Sequence, residues 1–352
     1  MTDWLIYGAN GYTGQLIAAE AVRRGMRPVL AGRSRASVEA LGSGPGSQYD
    51  LPTRVFDLGD ATAIARGLQQ ISLVLNCAGP FSTTCEPLLD ACLVGGAHYV
   101  DITGEIDVFA HCHAQDRRAR ERRMVILPGA GFDVVPTDCV AGLLKRELPD
   151  ATSLVLAFEA AGGASPGTSK TGIEGLARGG RIRRDGKLES VPLAYKTRTF
   201  DRDGQARSAM TIPWGDLYTA WVSTGIPDIE TYLAVSPKSI AAARRMNRIR
   251  RLLQFPGVVP FLQRRIASRV KGPDAITRAN TRARIWGEVR DAAGELRQLQ
   301  IDTPNGYELT VTGALGIVEH LLADTVDGGY YTPAMLMGPE YVLQLPGVEV
   351  TS

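Results

Sequence analysis

The sequence predicts an α/β chain: a doubly wound parallel sheet, followed by a second, α+β domain built on a mainly antiparallel sheet. Three observations carry that expectation. A glycine-punctuated stretch, Leu5-Ile-Tyr-Gly-Ala-Asn-Gly-Tyr-Thr-Gly14, lies between an apolar lead-in and a helix-like run from Gln15 to Gly25. Short apolar runs then alternate with helical ones to about residue 133, as parallel strands joined by crossover helices do. Beyond a helical run from Pro136 to Leu148 the alternation stops and strand–turn–strand patterns replace it.

The opening stretch reads as strand, tight turn and helix N-terminus. A pyrophosphate can lie against backbone N–H groups and a helix dipole only where no Cβ blocks its approach, which is the use of Gly8, Gly11 and Gly14. Their spacing is G-x-x-G-x-x-G, a departure from the commoner G-x-G-x-x-G. Asn10, Tyr12 and Thr13 complete the turn, and the whole is expected to be a Rossmann-type dinucleotide site.

The candidate strands run Leu5–Tyr7, Pro28–Ala31, Arg54–Phe56, Leu73–Asn76, Tyr99–Ile102 and Met124–Leu127. Ligands of such sheets occupy the crevice beyond the carboxyl ends of the strands, so the residues just past each strand are the informative ones. The second strand ends in Ala31-Gly-Arg-Ser-Arg35, where an NAD site would place an acid on the ribose 2′-hydroxyl. Arg33 and Ser34 suit a 2′-phosphate instead, so the expected cofactor is NADP(H), with Arg33 also stacking near the adenine. Asp57 is placed either to accept from the adenine amino group or to cap the helix that begins near Asp60. Cys77-Ala78-Gly79-Pro80-Phe81 should border the nicotinamide ribose, Cys77 being a packed small hydrophobe with no adjacent histidine to activate it. Asp101-Ile-Thr-Gly-Glu105 and Pro128-Gly-Ala-Gly-Phe-Asp133 should line the same crevice. His111, Cys112 and His113 resemble metal ligands in print, but helical residues two apart diverge by about 200°, so no metal is expected there. Arg117, Arg118, Arg120, Arg122 and Arg123 read as a solvated helix face.

In the second domain Leu154–Phe158 reads as a strand, and Ile285–Arg290 and Leu296–Thr303 flank the turn Asp291-Ala-Ala-Gly294. Tyr307–Val311 is expected to return as a further strand after Pro304-Asn-Gly306. Such a sheet is covered on one face, leaving the other for a homodimer interface or a substrate wall. The expected division is residues 1–133 with a returning tail, 326–352, against residues 134–325.

Composition bounds the rest. The chain has 352 residues, 44 % hydrophobic and 22 % charged, with a net charge of +2. That is ordinary globular composition and gives no whole-molecule argument for nucleic acid. Five cysteines without a C-x-x-C pair read as reduced thiols in the cytoplasm. The first residues already form a strand, so no secretory leader is expected, and no apolar run approaches a membrane span. One stretch is unusual: no acid stands between Glu230 and Asp274, whereas ten Lys or Arg run from Lys238 to Lys271 around an apolar hinge, Leu252–Leu262. Residues 244–271 are therefore a candidate for peripheral contact with an anionic membrane at its inner face, or for receiving an acidic carrier of an acyl substrate. A helical pair with a buried seam and a wet basic face is the plainer alternative.

With these residues in hand the chain resembles the saccharopine dehydrogenase-like oxidoreductases, in the branch that contains trans-acting enoyl reductases. The segments that carry the resemblance are Tyr7–Gly14, Ala31–Ser34, Asn76–Phe81, Tyr99–Glu105 and Gly131–Asp138, then Gly167–Thr171, Ser223–Asp228, Thr303–Tyr307 and Thr332–Ala334. The resemblance implies an NADP(H) Rossmann domain, a mixed-sheet second domain and a C-terminal tail returning to the first. It departs at Cys85, where relatives often have glycine, and at Thr171, where they often have serine. Phe132-Asp-Val-Val-Pro136 replaces an Asp-Pro-Gly-like element, which points away from lysine biosynthesis.

Hydride transfer asks the protein to hold the nicotinamide against an acceptor carbon and to supply a proton nearby. None of the eleven tyrosines is followed four positions later by lysine, so the short-chain dehydrogenase solution is absent. Candidate proton donors are Glu105, Asp133 and Lys170, with Tyr307 behind them. The expected activity is reduction of an activated C=C bond in a small apolar acyl or polyketide-like molecule. The alternatives are an imine or ketone reductase and a non-catalytic NADPH-binding, membrane-associated protein.

Overall fold

The computed structural model describes residues 3–44, 46–253, 255, 257–267 and 269–351, without the side chains of Arg251, Leu252 and Ala267. The hinge at 252–262 and the basic stretch 244–271 therefore lie partly outside the described residues. The chain forms two compact units, Met1–Phe132 with Thr310–Pro333, and Asp133–Leu309 with Ala334–Ser352.

The first unit begins β1 (Asp3–Tyr7), α1 (Tyr12–Arg23), β2 (Val29–Gly32), α2 (Arg35–Leu41), β3 (Thr53–Val55), α3 (Ala61–Gly67) and β4 (Ile71–Asn76). It continues α4 (Phe81–Gly95), β5 (His98–Asp101), α5 (Ile106–Ala114), α6 (Asp116–Arg122) and β6 (Val125–Leu127). The second unit holds α7 (Val135–Glu147), β7 (Ala151–Glu159), α8 (Pro166–Arg178), β8 (Gly180–Arg184), β9 (Lys187–Val191), β10 (Thr197–Arg202), β11 (Gln205–Thr211), α9 (Asp216–Thr224) and β12 (Asp228–Ala234). It goes on with α10 (Pro237–Met246), α11 (Arg250–Leu253), α12 (Val258–Ala267), α13 (Ala275–Asn280), β13 (Arg282–Asp291) and β14 (Leu296–Pro304). The chain then forms α14 (Gly306–Ala323), most of it in the first unit, and β15 (Gly329–Tyr330) of the first unit, followed by α15 (Pro333–Met337), α16 (Tyr341–Gln344) and β16 (Glu349–Val350).

Among the described residues the first sheet has the order β15-β6-β5-β4-β1-β2-β3, all pairs parallel. Its central strands are covered on both faces, so Leu5, Ile6, Leu73, Val74 and Leu75 form uninterrupted apolar runs with no exposure. The switch in strand order lies between β1 and β4, which puts the β1–α1 and β4–α4 loops side by side at the carboxyl edge, the place where such sheets bind ligands.

The second sheet is mixed, with the order β10-β11-β12-β7-β13-β14-β16 and a β8–β9 hairpin that joins it at β12. Only β12–β7 is parallel on the main path; the other pairs are antiparallel. One face packs under α7 so closely that a Cβ on Gly287 would lie 2.4 Å from Val140. The other gathers Val155, Ala157, Tyr232 and Trp286 with Phe200 packed against them. Ion pairs Arg198–Glu288 and Arg202–Glu159 fence this aromatic centre.

Two expectations are corrected. Tyr307–Val311 is the first part of α14 and not a strand, because Asn305 caps a helix: its Oδ1 accepts from Tyr307 N at 3.0 Å and its carbonyl from Leu309 N at 3.0 Å. The tail also divides differently from 326–352. Thr310–Pro333 belongs to the first unit, where Gly329–Tyr330 pair with β6, while β16 pairs with β14 and carries the end of the chain to the second sheet.

Candidate functional site

The β1–α1 turn is built by its own packing. Gly8 takes φ 81°, and a Cβ there would stand 2.9 Å from the backbone N of Ala78. A Cβ on Gly14 would lie 2.3 Å from the carbonyl oxygen of Gly8, so helix and turn approach only because neither residue has a side chain. Gly8 N and Ala9 N both donate to Ala31 O, at 2.9 and 3.1 Å, which ties the turn to β2. The Asn10 side chain lies over Gly32. Gly11 differs from the other two glycines: it is exposed, it is the N-cap of α1, and it offers no side chain to the helix. No acid stands in the first turn of α1 either. The positive end of the helix thus meets neither a capping side chain from Gly11 nor an acid in its first turn, and Gly11, Tyr12 and Thr13 fit a pyrophosphate there.

At the end of β2, Arg33 and Ser34 are exposed. Arg35 is paired with Glu39 at 2.8 Å, whereas Arg33 makes no ion pair with a described carboxylate. Asp57 is exposed beyond β3 and its Oδ1 accepts from Gly59 N at 2.8 Å. Of its two foreseen uses, capping falls away: Asp60 caps α3, accepting from Thr62 N and Ala63 N. Tyr7 joins these groups from below. Its ring stacks on Phe56 at 5.1 Å and its hydroxyl donates to Phe56 O at 3.2 Å. Burial pushes the phenol up to about 12, with Asp57 adding to the shift and Arg33 opposing it.

A buried polar network supports the β4–α4 loop. Asn76 and Asp101 are register partners at the ends of β4 and β5, and both are 0 % exposed. Asn76 Oδ1 accepts from Ala78 N at 3.0 Å, and its Nδ2 donates to Thr84 Oγ1 and Tyr99 OH. Asp101 Oδ1 accepts from Thr103 N at 2.9 Å and from Gly129 N at 3.0 Å. Thr103 Oγ1 then accepts from Glu105 N. The Glu105 carboxylate closes the circuit, accepting from Phe81 N and Ser82 N at 2.9 Å each. Glu105 thereby caps α4, whose own N-cap, Pro80, has nothing to give. Ala78, Gly79, Pro80 and Phe81 are held between Asn76 at one end and Glu105 at the other. Burial raises the Asp101 carboxyl to about 7, aided by the Glu105 charge and against the hydrogen bonds from Thr103, Gly129 and Tyr99. Burial and Asp101 likewise raise the Cys77 thiol, which fits packing and not nucleophilic chemistry.

On the other side of β5, Gly131 and Phe132 are fixed from a distant part of the chain. Phe132 N donates to Thr310 Oγ1 at 2.9 Å, and a Cβ on Gly131 would stand 3.0 Å from Thr310 Cγ2. Sequence reading missed Asn76, Tyr99 and Thr310. The first two had a signal, polar groups within otherwise apolar central strands; Thr310, 178 residues from its partner, had none.

The second unit carries the remaining candidates. Asp133 is half-buried just before α7, and Lys170 is half-buried in α8. Tyr307 OH accepts from Ser165 N and shares a hydrogen bond with Thr168 Oγ1 at 3.1 Å, so it holds the first turn of α8. Sequence reading also missed a buried acid pair. Asp138 accepts from Ser223 Oγ at 2.6 Å and Ala334 N at 2.8 Å. Asp216 is fully buried on α9, and burial, with Asp138 and Asp133 adding to it, holds its carboxyl well above the usual carboxylate range.

Comparison with known proteins fits this geometry. Residues 4–126 match the family described as saccharopine dehydrogenase NADP binding domain. A mouse protein named saccharopine dehydrogenase-like oxidoreductase is 27 % identical over 189 residues, 49 % of this chain and 42 % of the relative. A Mycobacterium tuberculosis protein named as a trans-acting enoyl reductase is 33 % identical over 195 residues, 49 % of this chain and 44 % of the relative. The aligned stretches span about a third to a half of the length of the curated relatives. Among solved structures, apo saccharopine dehydrogenase (L-Glu forming) from Saccharomyces cerevisiae aligns over 100 % of both chains with a TM-score of 0.62 at 11 % identity, which is likeness of fold.

Proposed function

We propose, from the premise that residues 4–126 are a saccharopine dehydrogenase-type NADP-binding domain, that this chain is an NADP(H)-dependent oxidoreductase. Its substrate in this reading is an activated C=C bond in an apolar acyl or polyketide-like molecule. The observation that carries it is the N-terminus of α1, with a glycine N-cap and no acid in its first turn, together with an exposed Arg33 that no described carboxylate pairs. The 33 % identity to a protein named as an enoyl reductase supports the choice of bond.

NADPH, when bound, supplies the hydride. Gly8, Asn10, Gly11, Tyr12, Thr13 and Gly14 hold its pyrophosphate, Arg33 and Ser34 its 2′-phosphate, and Asp57 its adenine amino group. Ala78, Gly79, Pro80 and Phe81 border the nicotinamide ribose, and the network behind them keeps that loop in one shape. Glu105 is assigned to positioning, since both its oxygens accept backbone N–H groups and an ionised acceptor has no proton to give. The proton is assigned to Lys170 or Asp133.

The test is NADPH oxidation with enoyl thioesters against a panel of keto acid plus amine and of ketones. Turnover of the enoyl substrates, lowered by at least tenfold in Lys170→Met or Asp133→Asn with NADPH binding intact, is the expected result. Turnover only in the other two arms would make the chain an imine or ketone reductase. Tight NADPH binding with no turnover in any arm would leave a nucleotide-binding protein without catalysis.

Peripheral membrane contact through 244–271 has separate support. Ile249, Phe255 and Phe261 are 52 %, 62 % and 60 % exposed among the arginines of this stretch, an arrangement suited to anionic lipid. Co-flotation with anionic vesicles, lost in Phe255→Ser/Phe261→Ser, is the expected outcome.

A further inference from the structure

A groove of about 590 Å³ opens in the second unit beside α10 and the β10–β11 hairpin. Its size falls within the range of small-ligand sites. The sheet wall carries three hydroxyls, Thr197, Thr199 and Ser208, of which Thr199 and Ser208 are register partners. The helix wall carries Ile240, Ala241, Arg244 and Arg245. Arg198 also lines the groove, but it is already committed to Glu288 at 3.1 Å. Among the described residues no carboxylate lines it.

Arg244 and Arg245 are exposed, and neither makes an ion pair with a described carboxylate. Their described hydrogen bonds are long ones from Nε, to Ala194 O at 3.4 Å and Ala241 O at 3.3 Å. The terminal nitrogens of both guanidinium groups, the pair that grips an oxyanion bidentately, are not used in those bonds. The chain from residue 231 to residue 273 contains no acid, so nothing nearby in sequence offsets the two charges. A merely solvated basic face would need neither a concavity nor hydroxyls facing the cations. Buried Ile240, with Pro237 and Ala241, adds an apolar part to the lining, so the groove is amphipathic as well as basic.

We propose that this groove is a binding site for a small soluble ligand that carries a phosphate group next to an apolar portion. The phosphate oxygens accept from Arg244 and Arg245 and from the hydroxyls of Thr199 and Ser208, while the apolar portion lies along Pro237, Ile240 and Ala241. The site is independent of the dinucleotide cradle, which is built wholly from the first unit.

The test is calorimetric titration of the NADPH-saturated protein with inorganic pyrophosphate and with coenzyme A, alongside flotation with phosphatidylglycerol vesicles. Saturable binding of coenzyme A that weakens as salt rises is expected. Arg244→Ala/Arg245→Ala should weaken it by about tenfold or more, and Thr199→Val by a few-fold, with NADPH affinity unchanged in both. Three results would overturn the proposal: no saturable binding of either soluble probe at about 10 mM, binding indifferent to the double substitution, or association with the vesicles alone.

Discussion

The hydroxyl of Tyr99 donates to Asp101 Oδ2 at 2.9 Å, with both side chains shut off from solvent at the carboxyl end of the first sheet. The folded protein raises the Asp101 carboxyl from 3.8 to about 7, so it binds this proton more tightly than the unfolded chain does. The associated stability is complete below the unfolded value and is lost as pH climbs toward 7. Between about pH 4 and 7 the wild type should therefore lose stability relative to Asp101→Asn, by no more than about 1.4 kcal/mol per pH unit. Urea midpoints of the two proteins across this range check it; parallel curves would mean that Asp101 stays ionised when folded.

Gly14 offers a test of the cradle that does not depend on chemistry. Gly14→Ala places a methyl group 2.3 Å from the Gly8 carbonyl oxygen, which neither backbone can escape without opening the turn. Overpacking of this kind costs about 1–3 kcal/mol. A lowered thermal midpoint together with loss of NADPH binding is expected, whereas alanine in place of Gly95, whose Cβ would meet open space, should leave NADPH binding intact.

Arg33 should set the choice between coenzymes. In the proposed pairing with the 2′-phosphate, its removal deletes a charge-assisted contact worth about 1.5–3 kcal/mol, so Arg33→Ala should weaken NADPH by roughly ten- to a hundredfold and leave NADH almost unchanged. Dissociation constants for both nucleotides, measured by fluorescence, decide it. Equal weakening of the two would place Arg33 away from the 2′-phosphate.

Glu105 separates positioning from proton donation. In Glu105→Gln the amide NH₂ must face one of the two N–H donors at Phe81 and Ser82, leaving it without an acceptor at a cost of about 1–3 kcal/mol. The positioning role predicts lower stability and a raised KM, with a pH profile of kcat like that of the wild type. A fall in kcat alone, with the stability unchanged, would return Glu105 to the list of proton donors.

Much of the first unit was legible because each signal was local. Gly8 and Gly14 mark a turn by residue type alone, although Gly8 also packs on distant Ala78, and the apolar runs of β1 and β4 allow few readings other than buried parallel strands. The errors arise where one dipeptide serves two structures. Asn305-Gly306 suits a hairpin turn and a helix start equally; what decides is that Asn305 Nδ2 also reaches Thr281 Oγ1 at 2.7 Å, a partner no local pattern reveals. Glu105 reads in the sequence as a candidate proton donor, a carboxylate beside a glycine turn; the backbone N–H groups that it accepts lie 23 and 24 residues upstream, where no local pattern shows them. The Asp138–Asp216 neighbourhood escaped notice for the same reason, two acids far apart in sequence converging under one helix pair.

Thr310 has one more implication. The first unit is completed by residues 310–333, which bring both the hydroxyl that holds Phe132 N and the short strand that pairs with β6. A fragment ending at Phe132 would therefore expose the β6 edge to pairing with other chains and orphan an amide at the tip of the sheet. Independent expression of the nucleotide module calls for splicing the later segment back in, and swapping modules with a relative calls for three junctions where one would serve a chain whose halves simply follow one another.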